Sequence, residues 1–247
     1  MDVRTIVIED LPEHDQAEAL AALRDHLAEL QRPQIAHGRR AIILFEGAAG
    51  SGKKFALRQL AAAFDPCHYI VHQTEFDRRE ASEGHWLARF WRQLPAAGNS
   101  SIFFRSWYRR VLDDRVLGRT DEAALTRAFD EINEFEAQQR DYGTLIVKLL
   151  FEVSPQIQEA RLKARAADPW TGLGRKDEPA MVRESAYVRA LADLKLQSNT
   201  RWSPWRVIDG NDEAAAAVTA LTAIADAWAK AMPAEPPRLI GIPGHAA

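Results

Sequence analysis

A chain of 247 residues, 47% of them hydrophobic, is long enough for one large α/β domain or two small ones and can bury a sizeable core. Its formal charge of −3 argues against a general polyanion binder, nucleic acid included, while leaving room for a local basic groove. Its single cysteine, Cys67, excludes an internal disulfide framework and any multi-cysteine metal site, and reads as a small apolar residue at a strand edge.

The opening MDVRTIVIEDLPEHD holds an apolar run too short and too acidic for a signal peptide. No uncharged stretch approaches the roughly 20 residues a membrane helix needs, so a soluble cytoplasmic protein without membrane contact is expected. Residues 15–31 place Leu20, Leu23, Leu27 and Leu30 at helical spacing, a stripe suited to the core or to an oligomer contact. The continuous apolar run 41–46 reads as a buried parallel strand, followed by a helix over 52–63. Strands follow at 67–73, 100–104, 144–153 and 204–210. Helices are expected over 80–93, 107–117, 121–141 (opened by Thr120 as a cap), 155–166, 179–198 and 212–231.

This alternation predicts a three-layer α/β/α fold, with a parallel sheet of about five strands covered by helices on both faces. Right-handed crossovers put every strand C-terminus on one edge, where such sheets bind ligands. The loops after residues 46, 73, 104, 153 and 210 are therefore the candidates for function. No internal repeat or domain boundary shows, which predicts a single domain over 1–235 and a loose Pro-rich tail over 236–247.

The loop after the first long strand runs Gly47-Ala-Ala-Gly50-Ser51-Gly52-Lys53-Lys54. It fits G-x-x-x-x-G-K but lacks the final Ser/Thr that binds magnesium in P-loop enzymes. Its glycines let backbone N–H groups turn inward onto phosphate oxygens, and the next helix begins there, adding positive potential. Gly47, Gly50, Ser51, Gly52, Lys53 and Lys54 are the phosphate-binding candidates from the loop. Residues 105–119 add Arg105, Arg109, Arg110, Arg115 and Arg119 against Asp113 and Asp114, a surplus of three positive charges. Arginine forks suit phosphate oxygens, although on a solvated helix face these residues would pair with Glu131, Glu134 and Glu136. Trp86, Trp91, Trp107 and Tyr108 suit packing better than base stacking. His68, His72 and His85 lack metal-ligand spacing, and no residue is assigned to a metal.

The sequence resembles the type-2 polyphosphate kinase family over about residues 25–230. The resemblance rests on Phe45-Glu46-Gly47-Ala48-Ala49-Gly50-Ser51-Gly52-Lys53-Lys54, on Leu94-Pro95-Ala96-Ala97-Gly98 followed by Phe104-Arg105-Ser106-Trp107-Tyr108, and on Asp114-Arg115-Val116-Leu117-Gly118. Lys148, Arg165, Asp168-Pro169 and the stretch 203–212 match its later landmarks. The resemblance implies phosphate transfer between polyphosphate and nucleoside mono- or diphosphates, with magnesium, a helical lid (here about 155–186) and a dimer or tetramer. It also implies that Lys53 and Arg105 contact the reacting phosphates, and that Arg110, Arg115 and Lys148 flank the polyanion path.

The departures fall on the chemistry. The family's P-loop aspartate is Ala49 here, and the aspartate before R-S-W-Y is Phe104. Arg109 replaces an asparagine and Glu213 a lysine. Neither alanine nor phenylalanine can serve Mg²⁺, a hard ion that wants oxygen ligands. Three readings follow: a binder of polyphosphate or nucleotide phosphates with weak or lost transfer, acting alone or as a partner subunit; an active phosphotransferase whose magnesium ligands have moved, to Glu46, Glu75, Asp77, Asp113 or Asp114; and a structural domain for oligomer assembly.

Overall fold

The computed structural model describes residues 5–6, 13–74, 84–170 and 184–237. The strands are β1 (Thr5–Ile6), β2 (Arg40–Gly47), β3 (Tyr69–Gln73), β4 (Ser100–Phe104), β5 (Thr144–Glu152) and β6 (Trp205–Asp209). The helices are α1 (Glu13–Ala36), α2 (Lys53–Ala63), α3 (Ala88–Trp91), α4 (Asp113–Val116), α5 (Glu122–Asp141), α6 (Pro155–Ala167), α7 (Glu184–Ser198) and α8 (Glu213–Ala231). All strand pairs are parallel, in the order β1-β6-β5-β2-β4-β3. The five expected strands are present, and the two-residue β1 adds a sixth beside β6.

The order follows from burial. β2 and β5 are buried on both faces and lie at the centre, paired from Arg40–Thr144 to Gly47–Phe151. Alternation sends Ala41, Ile43 and Phe45 to one face, against Leu27 of α1, Leu60 of α2 and Leu221 and Trp228 of α8. Ile42 and Leu44 point to the other, against Phe129 and Phe135 of α5 and Leu194 of α7. From β2 the chain first goes to the edge strand β3 and returns to β4, which lies between them, then crosses to β5 and β6 on the other side of β2. The C-terminal end of β2 is thus a topological switch point, the place where open α/β sheets take ligands.

Several local expectations are corrected. α5 is capped by Asp121, which accepts from Ala124 N–H at 2.7 Å, rather than by Thr120. The helix expected over 107–117 divides into a 3-10 turn, Trp107–Arg110, and the short α4. Of 80–93, the described part forms only the four-residue α3. Cys67 is exposed in a 3-10 turn that precedes β3. The leucine stripe of α1 belongs to the core: Leu20 and Leu27 are buried, and Leu23 and Leu30 pack against them. Of the expected lid, about 155–186, residues 171–183 lie outside the described residues, as does the expected tail from 238 on. Among the described residues no helix is long and apolar enough to cross a membrane.

Candidate phosphate-binding site

β2 ends by delivering Gly47 to a loop that closes on the first turn of α2. Gly47 has φ 125°, and a Cβ there would lie 2.1 Å from the Phe151 carbonyl oxygen, so only glycine lets β2 leave the sheet this way. Gly52 precedes α2 with φ 83° and no side-chain cap, and its carbonyl accepts from the Phe55 and Ala56 N–H at 3.0 and 3.3 Å. Lys53, the first residue of α2, is buried at 4% exposure. Its ammonium donates to the carbonyls of Gly47 (2.5 Å) and Ala48 (2.7 Å) and to Ser51 Oγ (3.3 Å). Lys54, one residue on, is exposed.

The two positions where carboxylates were looked for are apolar and in place. Ala49 is buried, and Phe104 at the end of β4 puts its ring 5.7 Å from the Lys53 ammonium. Beside them Glu46 is buried at 2% exposure and accepts from both the N–H and the Oγ–H of Ser106, each at 2.6 Å. Burial pushes the Glu46 carboxyl up; the Ser106 hydrogen bonds and the Lys53 charge oppose this, and Asp113 adds to it.

Arg105 follows Phe104 with φ 64°, the only described non-glycine residue with positive φ, a backbone state that costs about 1–3 kcal/mol unless the surroundings impose it. Here its N–H is held by the Phe45 carbonyl at 3.2 Å. Its guanidinium lies 3.9 Å from the Asp113 carboxylate. Arg109 stands 4.0 Å from Asp113 and 3.5 Å from Asp114, and Arg119 is 3.4 Å from Asp114. Burial raises the Asp114 carboxyl and lowers Arg109, each opposed by the other's charge. The arginines therefore pair with the aspartates of their own segment rather than with Glu131 and Glu136, which bond Trp86 and Trp107 instead.

The remaining candidates scatter. Arg110 stands over the Trp86 ring at 5.9 Å. Arg115 pairs with Asp193 of α7 at 2.6 Å. Lys148 is a correction: it sits in mid-strand, fully buried, donating to Glu136 (2.9 Å), Tyr108 Oη (3.2 Å) and the Ser198 carbonyl (2.7 Å). With its three protons used in the core, it cannot flank a polyanion. Trp107 and Tyr108 are likewise packed in the core, and His72 stacks on Phe103.

Two residues that sequence reasoning passed over reach the loop. Gln158 and Arg161 of α6 donate to its outward carbonyls, Ala49 and Gly50. Their signal was faint, since spacing of i, i+3 and i+4 with the buried Leu162 marks one helix face without saying what it meets.

A family model, polyphosphate kinase 2, matches residues 10–236. A polyphosphate:AMP phosphotransferase of Pseudomonas aeruginosa is 35% identical over 212 residues, 85% of this chain and 43% of that protein. An ADP-polyphosphate phosphotransferase of Rhizobium meliloti is 30% identical over 208 residues, 82% of this chain and 67% of that protein. Crystal structures of polyphosphate kinase 2 proteins from Pseudomonas aeruginosa and Arthrobacter aurescens superpose with TM-scores of 0.85 (33% identity; 90% of this chain, 48% of that one) and 0.84 (29%; 90% and 81%). The chain spans less than half the length of the first curated relatives it matches. With a matching model over nearly its whole length, the chain belongs to the polyphosphate kinase 2 family.

Proposed function

We propose that this protein binds polyphosphate or the phosphates of a nucleotide at the loop 47–54, and that its phosphotransfer is weak or lost. Lys53 supplies the central charge, and Arg105 at the end of β4 adds a second cation, with Arg109 sharing Asp113 with it. One observation carries the second half: the Lys53 ammonium faces the Phe104 ring, with Ala49 buried in the same loop. Family relatives named as phosphotransferases support the phosphate-binding half.

The donor set of the described residues offers Mg²⁺ at most one or two carboxylates beside the substrate's own phosphates. Among the described residues no three His, Cys, Asp or Glu side chains stand close enough to hold a metal. Glu46 is buried and biased toward its neutral form, and Asp113 and Asp114 face arginines. Glu75 and Asp77 lie outside the described residues. Losing metal neutralisation of the transferred group costs several kcal/mol at the barrier, or about a thousandfold in rate. Anion binding, which rests on backbone amides and cationic side chains, does not need the metal.

The test is a titration with tripolyphosphate in EDTA, beside an assay for conversion of AMP or ADP with polyphosphate and Mg²⁺. Binding that survives EDTA, weakens with salt and falls in Lys53→Ala, with little turnover, is expected. Fast turnover sinks the reading in favour of the active enzyme, and absence of both binding and turnover sinks it in favour of a structural domain.

A further inference from the structure

We infer that Arg161, assisted by Gln158, is the positioning residue of the phosphate-binding loop: it holds the loop's peptide planes so that their N–H groups face the anion. The inference rests on the phosphate-binding reading above and adds how the cradle is kept open. Arg161 Nη1 donates to the Gly50 carbonyl at 2.9 Å and to the Gly210 carbonyl at 2.6 Å, and Nη2 donates to the Asn211 carbonyl at 2.7 Å. Gln158 Nε2 donates to the Ala49 carbonyl at 2.8 Å. One guanidinium therefore ties the loop after β2 to the loop after β6, and its planar fork suits carbonyls fixed on two separate segments.

The consequence follows from the peptide bond. In a trans peptide the C=O and the N–H of one plane point in opposite directions. Drawing the Ala49 and Gly50 carbonyls out toward α6 turns the Gly50 and Ser51 N–H groups the other way, into the loop. The Ser51 N–H donates to the Ala48 carbonyl at 3.4 Å, the same carbonyl that Lys53 takes, a long bond that a phosphate oxygen can replace. Lys53 takes the Gly47 and Ala48 carbonyls from within. The loop is thus held from both sides, and its glycines, which have no conformational preference of their own, are given one.

Close packing supports the same role. A Cβ on Gly50 would lie 3.5 Å from the Gln158 side chain and 3.6 Å from Leu162, so α6 rests directly on the loop. A Cβ on Gly210 would lie 2.3 Å from the Ser51 carbonyl oxygen, so the two stapled loops touch. With three donors on backbone carbonyls, Arg161 acts through the loop and does not contact phosphate itself.

Two readouts on the full chain decide this. The first, without ligand, is amide hydrogen exchange across 47–54. Arg161→Ala should raise it about tenfold or more, as loss of local hydrogen bonds lets the loop open, and Arg161→Lys should recover part of the protection. The second is tripolyphosphate affinity in EDTA across a salt series. Arg161→Ala should weaken binding about tenfold with an unchanged salt slope, whereas Lys53→Ala should lower the slope by about one. A salt slope reduced as in Lys53→Ala would make Arg161 a direct phosphate ligand and overturn the inference, as would unchanged loop exchange in folded Arg161→Ala. Should Arg161→Ala fail to unfold cooperatively, Gln158→Leu removes one staple and is expected to change exchange in the same direction by less; no change there overturns it too. If wild type does not bind tripolyphosphate, the phosphate-binding reading fails, while the exchange comparison still decides whether Arg161 orders the loop.

Discussion

Lys148, in the central strand β5, and Lys53, first residue of the helix that follows the central strand β2, are both buried lysines, yet their surroundings differ. Lys148 is fully buried and pairs at 2.9 Å with a carboxylate, Glu136, that is itself fully buried and also accepts from Trp107. Burial lowers the Lys148 ammonium, and Glu136 opposes that shift. Lys53 sits at a loop and bonds backbone carbonyls, which a phosphate can replace by offering charged oxygens instead. The residue type and the burial are alike. What differs is the partner: Lys148 has a hydrogen-bonded counter-charge, which makes it scaffold, whereas Lys53 donates to backbone carbonyls and Ser51 Oγ, which suits the proposed binding role.

The contrast can be broken most forcefully at Lys148. Lys148→Met leaves Glu136 buried without its cation and should cost about 3–5 kcal/mol, read from a shift in the urea midpoint. Adding Glu136→Leu should recover much of the loss. Equal stability of Lys148→Met and wild type would contradict the scaffold role.

Next in size is Lys53→Ala, which should cost about 1.5–3 kcal/mol of anion binding, roughly 10–100-fold in the dissociation constant of tripolyphosphate by calorimetry. Its unfolding midpoint should move less than that of Lys148→Met. A larger loss of stability than of binding would place Lys53 with the scaffold.

The face shared with the binding loop was legible in part. The G-x-x-x-x-G-K spacing and the apolar run before it predicted the strand, loop and helix over 41–63, because these depend on local chain chemistry. Lys148 was misplaced by likeness to a landmark, although its own strand held the answer. It shares a face with Ile146 and Leu150, and that face is buried under α5 and α7. The left-handed backbone of Arg105 has no sequence signature, since arginine does not favour it. Nor could spacing show that Asp113 and Asp114, rather than the glutamates of α5, would pair with the arginines, because that depends on where a short helix folds back.

Smaller effects sharpen the comparison at the loop's neighbours. Asp212 caps α8, accepting from Ala214 and Ala215 N–H at 2.8 and 3.0 Å, and these backbone bonds hold its carboxyl below the usual aspartate range. Its stabilisation is present above the unfolded aspartate value and is lost as pH falls through the lower folded value. Asp212→Ala should cost about 1 kcal/mol near neutrality and less in acid, measured by urea unfolding at several pH values.

Glu46 has the opposite sign. Its carboxyl is held above the usual glutamate value, chiefly by burial, so the native chain binds more protons than the unfolded chain between the two values. Stability from this group therefore falls as pH rises through that window. Glu46→Gln should flatten that part of the stability profile, the smallest of the expected changes, and a steeper profile would contradict the burial argument.

The most direct measurement is phosphate transfer from polyphosphate to AMP or ADP, with Mg²⁺, by wild type and by the double variant Ala49→Asp plus Phe104→Asp, each first checked for cooperative unfolding. Wild type should hold the anion and turn over little, and the double variant should gain rate. Wild type that is already fast, and no faster once both aspartates are supplied, would contradict the claim that a phosphate cradle persists here without its metal-binding carboxylates.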